Sequence, residues 1–339
     1  MKIQLLRLLV FALAFSGGYL IMTANPSTFQ TFEQFMRGRP VIDVHMHLTK
    51  GYEGNEAYNP QGLTEGDSLD QLKLKWTQQE MEQNNVVLAL AGGTAKYAGL
   101  YAEADEDFWG GLQFPCSKLV EMESPCEKEF FTYDELKELY EKYELKILGE
   151  SVYNYYGIPP TDIRLEPYWK FAADMDLPVG VHSDTGPPKV DEKERPNYSP
   201  QFANPELLAP ILEKYPNLRI ILMHYGGGYT EEAIALMKKY PQVYCDFSAI
   251  CIMMPKQIWE PNLRLLYEEG LGDRLMFGSD YTGTIEQNLR VVYDIGWLDN
   301  EEKYNILYHN AARFLRLKEE QIISHYREVS TMYRKRSQR

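Results

Sequence analysis

The chain has 339 residues, of which 44% are hydrophobic and 13% aromatic, and its formal net charge is −14. This apolar content is enough for a large core and excludes a disordered protein, while one α/β barrel with insertions routinely reaches this length. The acidic balance excludes nucleic acid as a general partner, because no basic surface is available to neutralise phosphates. We therefore expect a globular protein whose partner is a small molecule. The sequence leaves open whether it forms a homo-oligomer.

The first 24 residues differ in composition from the rest of the chain. Lys2 and Arg7 precede the apolar run LLVFALAFSGGYLIM, which is typical of a secretory signal peptide. A retained membrane anchor is the alternative, because the run is close to the roughly 20 residues that cross a bilayer and no clean small-x-small cleavage site precedes Ala24. Both interpretations export the globular part, to the periplasm or to the outer face of the membrane.

After the leader, short apolar runs alternate with helical patterns, which is the signature of βα units and a parallel sheet. We assign residues 25–320 to one barrel domain and residues 321–339 to a basic helical tail. Eight such strands close a (β/α)8 TIM barrel. The predicted strands are Val41 to His47, Val86 to Ala91, Phe108 to Phe114, Lys146 to Glu150, Val179 to His182, Arg219 to His224, Val243 to Phe247 and Leu275 to Asp280.

Helix-start signals fall between the predicted strands. Thr77 with Glu80 and Thr132 with Glu135 have the spacing of capping boxes. Asn204 before a proline predicts an N-cap, and Thr230 is expected to begin the helix after strand 6. Two connections are unusually long, at 49–76 after strand 1 and 183–203 after strand 5. Loops at the carboxyl ends of barrel strands build the active site, so these two are the expected walls around a substrate.

Four cysteines form two locally spaced pairs, neither with the CxxC spacing of a zinc knuckle. In an exported protein such a pair can form a disulfide, and we expect one between Cys116 and Cys126. Cys245 lies in the strand-like VYCDFS, where a small buried thiol is the ordinary explanation.

Most of the histidines lie at the ends of predicted strands. Residues i and i+2 of a strand face the same side, so one ion can bind both histidines of VIDVHMH. Imidazoles and carboxylates together are ligands that zinc and similar ions favour. A lone strand histidine is usually a hydrogen-bonded core residue, but here several separate strand ends coincide. The predicted metal ligands are His45, His47, Glu150, His182 and Asp280, with His224 beside them.

The residue types suggest different roles for the groups at this centre. An ion held by His45, His47 and His182 would leave a position for water and activate it near neutral pH. Asp280 is placed to orient that water and to shuttle its proton. His224 is either a further metal ligand or an electrophile that polarises a carbonyl oxygen.

Three other groups have less specific signals. Glu150 is compatible with bridging two ions, binding one, or holding a histidine. Asp43 lies deeper on the same strand face and is predicted to be structural or to support a ligand. Tyr155 and Tyr281 follow strands 4 and 8 and are candidates to hydrogen-bond a substrate, although with 25 tyrosines in the chain several fall there by chance.

The chain resembles the amidohydrolase-related TIM-barrel metal-dependent hydrolases. The resemblance runs from about Val41 to Leu317, and its most specific pieces are the HxH strand, MFGSD and the NAARFL helix. The matching segments, in order, are DVHMH, ILGE, LEPYWKFAADMDLPVGVHSDTGPP, NPELLAPILEKYPNLRIILMHYGGGY, YPQVYCDFS, GDRLMFGSDY and ILYHNAARFLRL.

The resemblance implies a (β/α)8 barrel that binds one or two zinc or similar ions. It makes His45 and His47 the paired ligands, His182 the strand 5 ligand and Asp280 the strand 8 aspartate. His224 is the strand 6 histidine, whose role differs among members. The carbamylated strand 4 lysine of the superfamily is replaced by Glu150, so the resemblance leaves the number of ions open.

Members of this family hydrolyse amides, esters and lactones, and a related branch decarboxylates or hydrates unsaturated acids. Our first hypothesis is an exported metal-dependent hydrolase. The second is a metal-dependent decarboxylase or lyase of a small carboxylic acid, for which Lys189 and Arg195 are the candidate carboxylate clamp. The third, a non-catalytic membrane-tethered binding protein, does not account for the complete ligand set.

Overall fold

The computed structural model describes residues 30–64, 66–115, 130–186, 197–281 and 285–337. The chain divides into two compact units, Met1–Phe35 and Met36–Arg339. The leader predicted over 1–24 and the predicted disulfide partners Cys116 and Cys126 lie outside the described residues, so these predictions stay untested. In the part of the chain that is described, no helix combines the length and apolar character needed to cross a membrane.

The second unit contains eight parallel strands in one sheet, each paired with the next along the chain. The backbone N–H of Asp280, after the last strand, donates to the carbonyl oxygen of His45 in the first at 2.8 Å. The sheet thus returns to its first strand, and the predicted (β/α)8 TIM barrel is confirmed. The strands are β1 Val41–Leu48, β2 Val86–Gly93, β3 Phe108–Phe114, β4 Ile147–Ser151, β5 Val179–His182, β6 Ile220–Met223, β7 Val243–Phe247 and β8 Leu275–Phe277.

Helices connect the strands, as repeated βα units require. Short 3-10 turns and a π-helical turn, Asn305–His309, complete the connections. The α-helices are α1 Phe32–Met36, α2 Asp67–Gln83, α3 Ala95–Ala104, α4 Tyr133–Tyr143, α5 Glu166–Asp174, α6 Ala209–Lys214, α7 Thr230–Lys239, α8 Ile250–Met253, α9 Lys256–Glu268, α10 Ile285–Tyr293, α11 Asn300–Tyr304, α12 Asn310–Phe314 and α13 Glu319–Ser337.

The helix starts match the sequence signals at three of four positions. Thr132 and Glu135 form the predicted capping box, the Asn204 side chain accepts from the N–H of Glu206 at 2.9 Å, and α7 begins at Thr230. The capping box at Thr77 is wrong. Helix α2 begins at Asp67, ten residues earlier, and the Thr77 hydroxyl donates to the carbonyl oxygen of Lys73 inside the helix at 3.1 Å. The irregular connection after β1 is correspondingly shorter than predicted.

Glycines allow strands of the barrel to approach one another closely. A Cβ atom on Gly92 would lie 1.9 Å from the carbonyl oxygen of Gly149, so no side chain fits there. This contact lets β4 bring Glu150, the next residue, toward the barrel axis. On the outer face of the strands, Phe114 stacks on Tyr168 of α5 with ring centroids 4.5 Å apart, which fixes the helical layer against the sheet.

Apolar burial closes the part of the barrel near the chain's C-terminal helices. Ile42 and Val44 of β1 belong to one fully buried cluster with Phe314 of α12 and Val329 of α13. Each such side chain contributes roughly 1.5–3 kcal/mol relative to an exposed one. Helix α13, which includes most of the predicted basic tail, is therefore packed on the barrel through one face. Cys245 is a buried free thiol, as predicted, and so is Cys251.

Helix α13 also brings one carboxyl group against another. Asp107, before β3, shares a side-chain hydrogen bond with Glu328. Partial burial and the neighbouring negative charge raise the pKa of Asp107 to about 8, and burial also raises the pKa of Glu328. The pair therefore holds a proton at neutral pH, and losing that proton destabilises the folded state.

We expect Asp107→Asn to stabilise the protein increasingly as the pH rises above 4. Because the pKa of Asp107 is higher in the folded than in the unfolded chain, this carboxyl group costs no stability below about pH 4 and destabilises the fold increasingly as the pH rises toward 8. The amide cannot ionise, so the variant should exceed the wild type by about 1 kcal/mol at pH 9 after solvent screening and equal it at pH 4. Denaturant unfolding across this range measures the difference. Glu138→Gln, on exposed α4, is the control; parallel curves for wild type and Asp107→Asn would contradict the prediction.

Candidate metal centre

The barrel brings together the six residues that the sequence singled out as metal ligands or catalytic groups. All of them stand at or next to the carboxyl ends of their strands, the face on which barrels of this type carry out chemistry. His45 and His47 lie in β1, Glu150 in β4 and His182 at the end of β5, while His224 follows β6 and Asp280 follows β8.

Glu150 lies between two groups of imidazoles. The ligand atoms of His45, His47 and Glu150 lie within 4.8 Å of one another, and so do those of Glu150, His182 and His224. Glu150 Oε1 is 2.7 Å from His182 Nδ1 and 3.5 Å from His224 Nε2, while Oε2 is 3.8 Å from His47 Nε2. One oxygen therefore faces each group, an arrangement that suits one ion or two.

Asp280 closes the centre on the side of β1. Its Oδ1 atom is 2.9 Å from His47 Nε2 and 3.5 Å from His45 Nε2. The backbone of Asp280 has a φ of 49°, in the left-handed region, and its N–H donates to His45. This turn at the end of β8 carries the carboxylate back over the first strand. The Asp280 side chain is 20% exposed, whereas those of His47 and Glu150 are 6% and 4% exposed.

The carboxylates of the centre carry negative charge that needs positive charge beside it. Burial alone would lower the pKa of His45, but the carboxylates of Asp246 and Asp280 outweigh it and raise this pKa to about 10. Burial would also lower the pKa of His224, but the carboxylates of Glu150 and Asp280 outweigh it and raise this pKa to about 9. For Glu150, burial raises the pKa, but the neighbouring His182 imidazole outweighs it and holds the pKa well below its usual value.

The same groups fit a divalent cation. His45 Nε2 and His47 Nδ1 are buried atoms without a hydrogen-bond partner, and an unpaired polar atom in such a place is costly. A bound cation would replace the imidazole protons as the source of positive charge and take up a free nitrogen lone pair. Nitrogen and oxygen donors of this kind suit zinc and related ions. The cluster is therefore able to bind a metal.

The other predicted residues lie around this centre. The Tyr155 hydroxyl is 3.4 Å from His182 Nε2, whereas the Tyr281 hydroxyl bonds to Thr77 in α2. A role in substrate binding stays a prediction for both tyrosines. Asp43 Oδ1 accepts from the N–H groups of His45 at 3.1 Å and Ser279 at 3.0 Å. It thereby ties β1 to the turn that carries Asp280, which agrees with the supporting role predicted for it.

The sequence analysis missed Asp246 on β7 and Ser248 just after this strand. Both are fully buried, and the Asp246 carboxylate forms a third potential ligand group with His45 and His224. A signal was present: in VYCDFS, two polar residues at i and i+2 face the same side at the end of a strand, just as the two histidines do in β1.

We expect the affinity for Zn²⁺ to rise with pH between 6 and 9. The pKa values of His45 and His224, about 10 and 9, mean that both rings carry a displaceable proton in the cation-free protein, so binding must release protons. Each released proton corresponds to about tenfold in affinity per pH unit. Calorimetric titration in buffers of different ionisation enthalpy counts these protons. His325→Gln, which changes a histidine bonded to Tyr308 away from the cluster, should behave as wild type. An affinity independent of pH would contradict this account.

Solved structures with the same fold include barrels of different recorded activities. A TIM-barrel protein from Bordetella bronchiseptica is 17% identical, with 82% of this chain and 98% of that chain covered and a TM-score of 0.58. A probable 2-pyrone-4,6-dicarboxylic acid hydrolase from Acinetobacter baumannii, with citric acid bound, is 14% identical, with 82% and 99% covered and a TM-score of 0.56. A 2,6-dihydroxybenzoate decarboxylase from Rhizobium is 13% identical, with 83% and 99% covered and a TM-score of 0.52. At these identities the likeness is one of fold.

Sequence comparison identifies the family. Over 78 residues the chain is 32% identical to Protein fluG of Emericella nidulans, a match that spans 23% of this chain and 9% of that protein. The sequence pattern that defines the amidohydrolase family, described as Amidohydrolase, matches residues 42–317, from β1 to beyond α12. With this match and the barrel's ligand cluster, the chain belongs to the amidohydrolase family.

Proposed function

We propose that this protein is a zinc-dependent hydrolase that cleaves an amide, ester or lactone bond in a small organic substrate. The observation that carries the proposal is the position of Asp280. Among the six clustered residues its carboxylate is bonded to His47 of β1 and is also one-fifth exposed, so it can reach both the centre and a bound substrate. A proton shuttle for hydrolysis needs this double access.

The residues divide between holding the ion and moving the proton. His45, His47 and His182 would hold the ion together with Glu150. A divalent ion bound there acts as a Lewis acid, which polarises a carbonyl oxygen and lowers the pKa of water to about 7. Nε2 of His224 faces the same space, where it either completes the ligand set or donates to the carbonyl oxygen.

Asp280 is ionised under the conditions in which it would act. Burial would raise the pKa of this carboxyl group, but the charge of His45 and the hydrogen bond to His47 outweigh burial and hold its pKa below the usual value. The carboxylate can therefore accept a proton from the attacking water and deliver it to the leaving nitrogen or oxygen. The imidazoles on either side keep its oxygen directed at the centre.

The described contacts favour hydrolysis over decarboxylation. Within residues 30–64, 66–115, 130–186, 197–281 and 285–337, Glu150 and Asp280 form ion pairs with histidines and with no lysine or arginine. A substrate carboxylate placed there would have only the imidazoles and the bound cation to pair with, and no lysine or arginine to hold it as a clamp, whereas a neutral carbonyl compound needs no such clamp. Lys189 and Arg195, the clamp considered for a decarboxylase, lie outside the described residues.

We also infer that the protein acts outside the cytoplasm. The inference rests on residues 1–24, whose basic start and apolar run suit a signal peptide or an anchor. Immunoblotting of periplasmic and membrane fractions after expression in a Gram-negative host would test it, with Lys2→Glu/Arg7→Glu as the variant that should retain the protein in the cytoplasm.

We expect Asp280→Asn to abolish hydrolysis while the metal stays bound. The amide keeps the size of the side chain but cannot take up a proton, and loss of a general base costs about 10²–10⁴ in rate. The wild type is first screened with 4-nitrophenyl esters, N-acyl amino acids and lactones, and the variant is then assayed on the substrate found, beside elemental analysis of both proteins. Asp273→Asn, an exposed aspartate just before β8, is the matched control. Equal rates for wild type and Asp280→Asn would refute the proposed role.

A further inference from the structure

Strand β7 supplies none of the predicted metal ligands, yet its end carries two fully buried polar side chains against the centre. Asp246 Oδ2 lies 2.9 Å from His45 Nδ1, and Asp246 Oδ1 accepts the backbone N–H of His224 at 3.0 Å. Ser248 Oγ lies 3.1 Å from His45 Nδ1 and 3.0 Å from His224 Nδ1. The two residues therefore contact two imidazoles that come from different strands.

The number of protons in this network determines which side chain donates each hydrogen bond. The Asp246 carboxylate can only accept, so the Ser248 hydroxyl must give its single proton to Asp246 Oδ1, 2.5 Å away. Ser248 Oγ is then left with lone pairs alone, and both imidazoles must donate to it or to Asp246 from Nδ1–H. One buried carboxylate thus accepts from a ring N–H, a hydroxyl and a backbone N–H.

This arrangement decides which nitrogen each ring offers to the centre. With the proton on Nδ1, the lone pair of a neutral ring is on Nε2. His45 Nε2 has no hydrogen-bond partner and lies 3.5 Å from Asp280, and His224 Nε2 lies 3.5 Å from Glu150. The two Nε2 atoms therefore face the two carboxylates of the centre.

The backbone leaves space for this network. A Cβ atom on Gly278, after β8, would lie 2.8 Å from His45 Cβ and 3.2 Å from Asp246 Cγ. A side chain at this position would push the imidazole and the carboxylate apart. The contact between β1 and β7 across β8 is thus built into the strand packing and does not depend on a mobile loop.

We propose that Asp246 and Ser248 are positioning residues that lock His45 and His224 in the Nδ1–H form and so present both Nε2 atoms to one metal centre. A hydrogen bond from the far side of a ligating ring fixes its tautomer and orientation and strengthens it as a ligand. Here one carboxylate and one hydroxyl do this for two rings at once. The proposal rests on the metal centre described above and is independent of the reaction carried out there.

The test measures Zn²⁺ affinity of the full-length chain by competition with a chromogenic chelator. In Asp246→Asn the amide NH₂ can donate to His45 Nδ1, which moves the ring proton to Nε2, the nitrogen that should bind zinc. We expect affinity to fall about 10- to 100-fold. Ser248→Ala removes one acceptor and leaves His45 bonded to Asp246, so its loss should be smaller, about threefold to tenfold. Cys245→Ser, on the same buried strand but facing away, should stay within about twofold.

A second measurement separates positioning from general damage to the strand. In the zinc-loaded wild type, the buried Nδ1–H protons of His45 and His224 should give slowly exchanging downfield proton resonances. Asp246→Asn should lose the His45 signal, and Ser248→Ala should shift the His224 signal, while Cys245→Ser keeps both.

Each remaining outcome overturns a definite claim. Unchanged affinity and unchanged ring resonances in Asp246→Asn would refute the positioning role alone. An equal loss of affinity in Cys245→Ser would show that β7 acts only through stability. A wild type that retains no zinc would refute the metal centre and this proposal together, whereas a zinc-binding wild type without hydrolytic activity would refute only the proposed reaction.

Discussion

The structure depends on the charge balance inside the upper end of the barrel. Glu150 and Asp246 are almost entirely withdrawn from water, and an uncompensated buried carboxylate costs several kcal/mol. Imidazoles that meet these oxygens at 2.7–2.9 Å supply the compensation. The rings can do so by holding protons or by sharing a cation, and in either case the barrel interior is stable only as a complete set of acids and histidines.

The acids and histidines meet mainly because of where the backbone places them, and less because their side chains are long. Parallel strands of a barrel end on the same face, so residues far apart in sequence meet there. Two glycines bring the set closer than ordinary packing allows: Gly92 lets the backbone beside Glu150 enter the barrel, and Gly278 lets His45 and Asp246 meet. Asp43 adds a third constraint, because its carboxylate bonds to the backbone of both β1 and the turn that carries Asp280. These backbone contacts therefore determine where the ligand side chains lie.

Much of this could be predicted from the sequence, for identifiable reasons. The alternation of apolar runs and helix signals predicted all eight strands, although β8 ends at Phe277 and not at Asp280. Histidines at several strand ends together have few structural explanations. Thr77 was misassigned as a helix start because a capping box is a local pattern. Helix α2 begins ten residues before Thr77 and includes the buried residues Leu69 and Leu74. Asp246 was overlooked because a single aspartate in a strand does not by itself indicate a metal site. Its role depends on contacts with His45 of β1 and His224 after β6, which the sequence does not show. For the tyrosine at 281, position after a strand fixes the place of the backbone but not the direction of the hydroxyl, so substrate binding stays a prediction.

The centre and the loops around it carry different parts of the function. The six clustered residues are held by strands and by one another, so they limit which chemistry is available: a cluster able to bind a cation, and a partly exposed carboxylate beside it. Five of them are buried and only Asp280 is partly exposed, so they present little surface with which to recognise the rest of a substrate. Selection among carbonyl compounds would then depend on groups nearer the mouth of the barrel, for which Tyr155, with its hydroxyl 3.4 Å from His182 Nε2, is a candidate. A barrel of this kind can keep its acid–imidazole set unchanged while its loops exchange one substrate for another, which is why the same fold supports both hydrolases and decarboxylases.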